Sequence, residues 1–262
     1  MSSILLLGIL ATFFGAVGFR FRFSSLGGRD QFQTYTQEYD VPVSNLYIEH
    51  YVGRVKITTS DEVSNLTFTY QAPAEDQVIF HLDGEDLDVI GGKESVQKQW
   101  WNIFQYVTIP YNMTITIPET WTLNQFQLEL CDGIAVVENN TATFQIYGVY
   151  AGALQTSNIS GKKLEVSANG GLVECKEETL FAESKWICNG GTIQVNHLES
   201  SLTDISVSAG YLSLSYPFIQ DAFTIDMRVS AGFCSVSNQE SEGTRKIQGK
   251  VTGGYLQIHF AS

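Results

Sequence analysis

The stretch LEVSANGGLVEC, residues 164–175, carries the pattern that decides the fold. Apolar and polar side chains alternate on both sides of Gly171, and the alternation restarts two residues after this glycine. A period of two predicts a strand with one buried face, and a glycine between two such runs supplies a turn that a Cβ would hinder. The stretch is therefore predicted to form a strand, a glycine turn and a second strand. Its inward residues are Leu164, Val166, Ala168, Val173 and Cys175.

Glycines recur along the C-terminal half of the chain at a nearly fixed spacing. Successive intervals are 19, 19, 20, 19, 22 and 22 residues, and the flanking pattern recurs around nearly all of them, least well around Gly152. The same template fits once near the start, around Gly53. A repeat of this size cannot bury its apolar face alone, so neighbouring repeats are expected to stack into one core. The predicted turn glycines are Gly53, Gly133, Gly152, Gly171, Gly191, Gly210, Gly232 and Gly254.

These repeats predict an all-β protein, a β-solenoid of two-strand rungs with about 20 residues each. A sandwich of meandering hairpins is the alternative, but sandwiches rarely keep one register through six periods. The predicted solenoid covers residues 46–262, with irregular hairpins at 58–125 and regular rungs at 126–260, after a linker and first strand at 24–45. The final strand, at 256–260, would leave an open β edge, which we expect a protein partner or a second copy to cover.

Residues 1–23 are predicted to be a membrane segment that precedes the solenoid. Sixteen uncharged positions at 4–19 come before Arg20 and Arg22, and a helix of that length spans roughly 24 Å of the roughly 30 Å hydrocarbon core. The segment is either an uncleaved transmembrane anchor or a signal peptide. The domain is then expected outside the cytoplasm, at the cell surface or in the secretory pathway, with the mitochondrial inner membrane as the alternative location.

Four sequons would become glycosylation sites if the chain enters a eukaryotic secretory pathway. Roughly two would arise by chance in a chain this rich in Ser and Thr, so four is a mild excess. The acceptor residues are Asn65, Asn112, Asn139 and Asn158.

Charge and composition exclude several classes of protein. The 262 residues include 28 acidic and 15 basic side chains, which gives a formal net charge of -13. Such a surface repels phosphate backbones, so nucleic acid is not an expected partner. The 23 glycines and 5 prolines, with many β-branched and aromatic residues, favour strands over a helical bundle or a disordered chain.

The sequence contains no catalytic, cofactor or metal motif that we can identify. The four histidines share no rung position and no cysteines form a CxxC pair, so no metal site is predicted. By the repeat, Cys175, Cys188 and Cys234 point inward as apolar fillers, Cys131 is the accessible thiol, and a Cys175–Cys188 disulfide stays an alternative. The acidic run at 83–88 reads as a hairpin turn rather than a calcium loop.

One aromatic stretch stands outside the repeat pattern. In an extended strand, the adjacent residues Trp100 and Trp101 would point to opposite faces, so at least one needs a cover. The stretch, which also contains Phe104 and Tyr106, either caps the solenoid or contacts a partner.

The order of strands, glycine turns and an Ile-Pro strand resembles an adhesin-type domain family, DUF4097 and DUF4098. The resemblance rests on VPVSNLYIEHYVGRVKI at 41–57 and MTITIPETWTLNQFQLELCDGIAVV at 113–137, and it covers roughly residues 35–260. It implies a β-solenoid behind a membrane anchor or signal, with no catalytic signature. Some eukaryotic relatives are mitochondrial, and the bacterial ones are mostly envelope proteins.

The sequence therefore favours a membrane-anchored, non-catalytic protein that acts through protein or surface contacts, and no cofactor is expected. The first alternative is an accessory structural subunit of a large membrane complex, which would include the mitochondrial case. The second is a solenoid enzyme that cleaves carbohydrate, for which two outward acids at glycosidase spacing would be the evidence.

Overall fold

The computed structural model describes residues 33–72, 78–92 and 112–261. Its one helical element in these ranges is the 3-10 turn Gln220–Ala222. No helix among the described residues is long and apolar enough to cross a membrane, and the predicted anchor at 1–23 lies outside them. The strands are β1 (Gln33–Tyr39), β2 (Asn45–His50), β3 (Arg54–Ser60), β4 (Leu66–Ala72), β5 (Ile79–Asp83), β6 (Asp86–Gly91), β7 (Asn112–Pro118), β8 (Leu123–Leu130), β9 (Ile134–Glu138), β10 (Ala142–Val149), β11 (Ala153–Ser157), β12 (Ile159–Ala168), β13 (Leu172–Cys188), β14 (Thr192–Val207), β15 (Tyr211–Ser215), β16 (Phe223–Val229), β17 (Phe233–Cys234), β18 (Arg245–Val251) and β19 (Tyr255–His259).

The strands form two facing ladders in which most neighbours are parallel. The first ladder contains the strands before the glycine turns, in the order β5–β6–β2–β8–β10–β12–β13–β14–β18–β16. The second contains the strands after the turns, in the order β1–β4–β7–β3–β9–β11–β13–β14–β15–β19–β17. The prediction of an all-β, solenoid-like fold is confirmed. The alternative, a sandwich of hairpins, is wrong because the regular rungs pair in parallel.

The core lies between the ladders and follows the alternation of the sequence. In the rung around Gly133, the side chains of Phe126, Leu128, Leu130 and Val137 are all fully buried. The rung around Gly152, which fits the apolar template least well, is buried in the same way. Its inward polar groups find partners, since the Tyr147 hydroxyl donates to Gln145 Oε1 at 2.6 Å and Gln145 Nε2 donates to the Ser160 carbonyl of the next rung at 2.8 Å.

The N-terminal end of the stack is not the rung at Gly53. Strands β6 and β7 form a further rung outside β2 and β3, with parallel pairing. Beyond it, β5 pairs antiparallel with β6, while β4 pairs antiparallel with β7 and β1 with β4. The predicted hairpins at 58–125 are therefore only part of this region, which also contains a regular rung.

The C-terminal end of the stack differs from the predicted order. Strand β18 lies between β14 and β16, and β19 lies between β15 and β17. The rung at Gly254 is thus interior, and the rung at Gly232 is terminal. Both glycine intervals here are 22 residues rather than 19 or 20. Two or three extra residues span up to roughly 10 Å, enough for the chain to step over one rung and return.

The chain itself covers part of the edge strand β16. Ile225 and Gln239 exchange two backbone hydrogen bonds, and the Met227 N–H donates to Asn238 Oδ1 at 2.7 Å. Beside the two-residue strand β17, Ser235 Oγ accepts from the Ile258 N–H at 2.8 Å, where a longer strand would have paired. The prediction of an open edge at 256–260 is wrong, because β19 pairs with β15 on one side and with β17 on the other. Whether a partner covers this end of the stack stays a prediction.

The His50 side chain points inward, and its register neighbour on β8 is the buried Leu130. The ring is fully buried, and burial lowers its pKa to about 4, although a hydrogen bond with the Gly53 backbone opposes the shift. In the unfolded chain the pKa is about 6.5. The unfolded state therefore binds more protons between these two values, and stability falls as the pH drops through this window.

We expect His50→Leu to remove this contribution. Between pH 7.5 and pH 4.5, the free energy of unfolding of the wild type should fall by about 2–3 kcal/mol more than that of the variant. Urea denaturation of both proteins at the two pH values measures the difference, and all other acid effects cancel because both chains share them. An identical pH dependence would show that His50 titrates normally in the fold.

Candidate functional site

The eight predicted turn glycines stack in one column along the solenoid. In all of these rungs except the one at Gly53, the residue after the glycine donates its N–H to the carbonyl of the neighbouring glycine, as Ala153 does to Gly133 at 2.8 Å and Phe233 does to Gly254 at 3.0 Å. A Cβ on Gly152, whose φ is 106°, would lie 2.2 Å from the Gly133 oxygen. The column is a structural element, and it fixes the rung register that positions every surface side chain.

The four sequon asparagines lie in three separate places. Asn112, Asn139 and Asn158 are exposed and Asn65 is half-buried. Asn139 and Asn158 have φ values of 55° and 54° and lie in neighbouring rungs, where Asn158 Nδ2 donates to Asn139 Oδ1 at 3.2 Å. Asparagine tolerates the left-handed conformation better than other residues with a Cβ. A corner turn therefore explains these two residues without a glycan; glycosylation stays a prediction.

The other predicted features are distributed as follows. Trp100, Trp101, Phe104 and Tyr106 lie outside the described residues. All four cysteines are free, which contradicts the alternative of a Cys175–Cys188 disulfide; both of these residues are buried, whereas Cys131 and Cys234 are half-buried. Burial, followed by the charges of Glu49, Glu129 and Asp132, raises the pKa of Cys131. This thiol is consequently less reactive than an accessible cysteine would be.

Two outward glutamates are register neighbours near the N-terminal end of the first ladder. Glu49 and Glu129 lie on adjacent strands, roughly 5 Å apart at the backbone. The Tyr51 hydroxyl donates to Glu49, and Gln127 donates to Glu129. Burial raises the pKa of the Glu129 carboxyl, and the charge of Glu49 adds to this rise. Protein donors bind one oxygen of each carboxylate, whereas Glu129 Oε2 is buried without a hydrogen-bond partner among the described residues.

A groove of about 500 Å³ crosses the outer face of the first ladder near its C-terminal end. Four strands, β13, β14, β18 and β16, contribute to it. Gly249 on β18 is the register neighbour of the buried Ile205 on β14. A Cβ on Gly249 would lie 2.0 Å from the Ile205 carbonyl oxygen. Position 249 therefore accepts glycine alone. The lining residues are Lys185, Ile187, Asp204, Ile205, Ser206, Asp226, Arg228, Gln248, Gly249 and Lys250.

The polar groups of the groove form two parallel rows along the stack. The carboxylate row is Asp204, Gln248 and Asp226, and the cation row is Ser206, Lys250 and Arg228. Within a row the backbones are roughly 4.8 Å apart from one strand to the next, and the rows are roughly 6.5 Å apart along each strand. The groove thus presents two carboxylates on one side and two cations on the other, with Gln248 and Ser206 able both to donate and to accept hydrogen bonds.

The charges of the two rows have no partners among the residues in 33–72, 78–92 and 112–261. Asp204, Asp226, Arg228 and Lys250 form no ion pair or side-chain hydrogen bond there. Lys185, the register neighbour of Asp204 on β13, is already bound to Glu165 at 3.0 Å. Two carboxylates and two cations are therefore available to a ligand. No group of three possible metal ligands occurs in the described part of the chain.

Sequence reasoning missed the groove because it assumed that rungs stack in chain order. In that order Asp204 and Asp226, each six residues before a turn glycine, would be direct neighbours with like charges. The inserted strand β18 places Gln248 between the two aspartates instead. The two 22-residue glycine intervals are the signal that could have indicated the insertion.

Comparison with known proteins identifies the family of the fold. The model of the Toastrack DUF4097 family matches residues 31–261. No curated protein matches the chain in sequence.

Several solved structures match this chain. A "putative adhesin" from Bacteroides fragilis is 16% identical, with a TM-score of 0.46, and the match covers 87% of this chain and 97% of that one. A "putative lipid binding protein" from Parabacteroides distasonis is 14% identical, with a TM-score of 0.45 and the same coverage. A "putative cell adhesion protein" from Clostridium sporogenes is 11% identical, with a TM-score of 0.35, covering 87% of this chain and all of the other. Similarity at this level carries no information about ligands.

Proposed function

The chain belongs to the Toastrack DUF4097 family, and on that premise we propose that it is a membrane-anchored, adhesin-like binding protein without a catalytic role. The groove with its two rows of uncommitted charges is the observation that carries the proposal. Unpaired side chains of both signs, held at fixed spacing by parallel strands, suit recognition of a polar ligand or surface. The apolar run at 4–19 would hold the domain at the outer side of a membrane.

A full-length chain with a C-terminal tag, isolated in mild detergent, tests the proposal. Mass spectrometry of the intact chain and of co-purifying proteins, with and without glycosidase treatment, gives the readout. We expect an intact N-terminal segment, glycans on exposed sequons if the host is eukaryotic, and no fixed set of membrane subunits; a chain that has lost this segment by signal cleavage would contradict the membrane anchor. A stoichiometric complex with an unglycosylated chain would contradict the proposal and indicate an accessory structural subunit.

One observation favours the carbohydrate-cleaving alternative enough to merit its own test. Asp204 and Asp226 flank Gln248 at two rung spacings, roughly 10 Å at the backbone, near the upper limit for the two carboxylates of an inverting glycosidase. Incubation of the purified chain with oligosaccharides, followed by chromatography of the products, separates the two functions. Shortened products that vanish with Asp226→Asn would indicate the enzyme.

A further inference from the structure

We propose that the groove binds a neutral oligosaccharide whose chain runs along the stack, across strands β14, β18 and β16. This inference rests on the proposed binding function and names the ligand class. The evidence is the pair of rows described above. They present carboxylate oxygens and cationic donors two residues apart along each strand, which is roughly 6.5 Å.

A sugar hydroxyl is chemically suited to bridge the two rows. Each hydroxyl has one donor hydrogen and two acceptor lone pairs. It can donate to Asp204 or Asp226 while it or its neighbour accepts from Lys250 or Arg228, and both bonds are charge-assisted. The amide of Gln248, between the aspartates, offers a donor and an acceptor of its own, so the pattern of paired groups continues across three strands.

The charge balance favours a neutral ligand over an anionic one. The uncommitted groups are two carboxylates, Asp204 and Asp226, and two cations, Arg228 and Lys250, so their sum is zero. A polyanion would gain from the cation row but would meet the aspartates roughly 6.5 Å away. The whole chain, at a formal charge of -13, adds to that repulsion.

The size of the groove favours a small ligand over a protein partner. A volume of about 500 Å³ falls within the range of about 300–1,000 Å³ that is usual for small-molecule sites. A stable protein interface needs about 800 Å² from each partner, far more than one groove between four strands. The half-buried Ile187 offers an apolar surface beside the two rows, against which the CH groups of a sugar ring can pack.

Calorimetric titration of the full-length chain in mild detergent tests the inference. The probes are cellohexaose and chitohexaose as neutral chains, and hexagalacturonate as an acidic one. We expect one of the neutral probes to bind, and Asp226→Asn and Arg228→Gln each to weaken that binding at least tenfold. Glu183→Gln and Lys163→Gln are matched controls, because they make the same charge changes at an exposed ion pair of 2.9 Å on the same face, outside the groove.

Three results would overturn the inference. They are no binding of any probe, binding of hexagalacturonate alone, and equal weakening by the groove variants and the controls. None of these results bears on co-purification or membrane attachment, so the proposed function could survive the loss of this ligand. Conversely, a stable membrane complex found in the pull-down would remove the proposed function while leaving the titration unchanged.

Discussion

Replacing Gly152 by alanine is expected to lower the free energy of unfolding by about 4 kcal/mol. Two costs add at this position. An alanine at φ 106° is strained, and its Cβ would lie 2.2 Å from the Gly133 oxygen, a backbone atom that cannot move without opening the rung contact. Because stacked repeats draw much of their stability from such contacts, the damage should reach the neighbouring rungs. Urea denaturation followed by circular dichroism measures the loss.

Gly84→Ala is the matched control for this substitution. Gly84 also has a positive φ, of 62°, but an added Cβ there would have no atom within 4 Å. Its cost should be that of the backbone conformation alone, about 1 kcal/mol. The difference between the two losses then reports the stacking contact together with the extra backbone strain of φ 106° over φ 62°. Equal losses would mean that the column of glycines serves backbone conformation and does not set the rung distance.

Trp186→Ala is also expected to lower the free energy of unfolding by about 4 kcal/mol, by a different mechanism. The indole is fully buried in the first ladder, in register with Val166 and Ile205 on the neighbouring strands. Truncation leaves a cavity that well-packed strands cannot close. The midpoint of urea denaturation should fall while the slope stays unchanged, which separates lost stability from a change in the compactness of either state.

Trp186→Phe distinguishes packing from hydrogen bonding at the same site. Trp186 Nε1 finds no acceptor among the described residues, and a buried donor without a partner costs about 1–3 kcal/mol. Phenylalanine loses some packing contacts but removes the unpaired donor, so we expect the free energy of unfolding to change by less than about 1 kcal/mol. A loss as large as that of Trp186→Ala would indicate that the N–H has a partner such as a buried water.

The sequence predicted the parts of this fold that local periodicity determines. Alternation around each glycine identified inward residues such as Phe126 and Leu128, because a strand period of two leaves no choice of face. It did not anticipate inward polar residues such as Gln145, whose burial depends on a hydrogen bond to the Ser160 carbonyl in the next rung. Such partners belong to the neighbouring strand, so the sequence around the buried residue does not indicate them.

The candidate site could not be predicted from the sequence for the same reason. Periodicity tells which face a residue occupies, but the choice of neighbouring strand depends on the path of the chain between rungs. Asp204, Gln248 and Asp226 come from three strands whose order in space differs from their order in sequence. A site composed of such residues becomes visible only when the strand order is known.

The insertion of β18 and β19 also bears on how the protein is made. As a chain leaves the ribosome from its N-terminus, each earlier rung can dock as soon as it is complete. Strands β16 and β17 cannot, because in the folded stack they pair with β18 and β19, which are synthesised later. The open surface of β14 and β15 must therefore wait for β18 and β19, and β16 and β17 can pair only after these two strands have docked. A chain interrupted before 245 would therefore leave both terminal rungs undocked, and its groove would lack Gln248, Gly249 and Lys250.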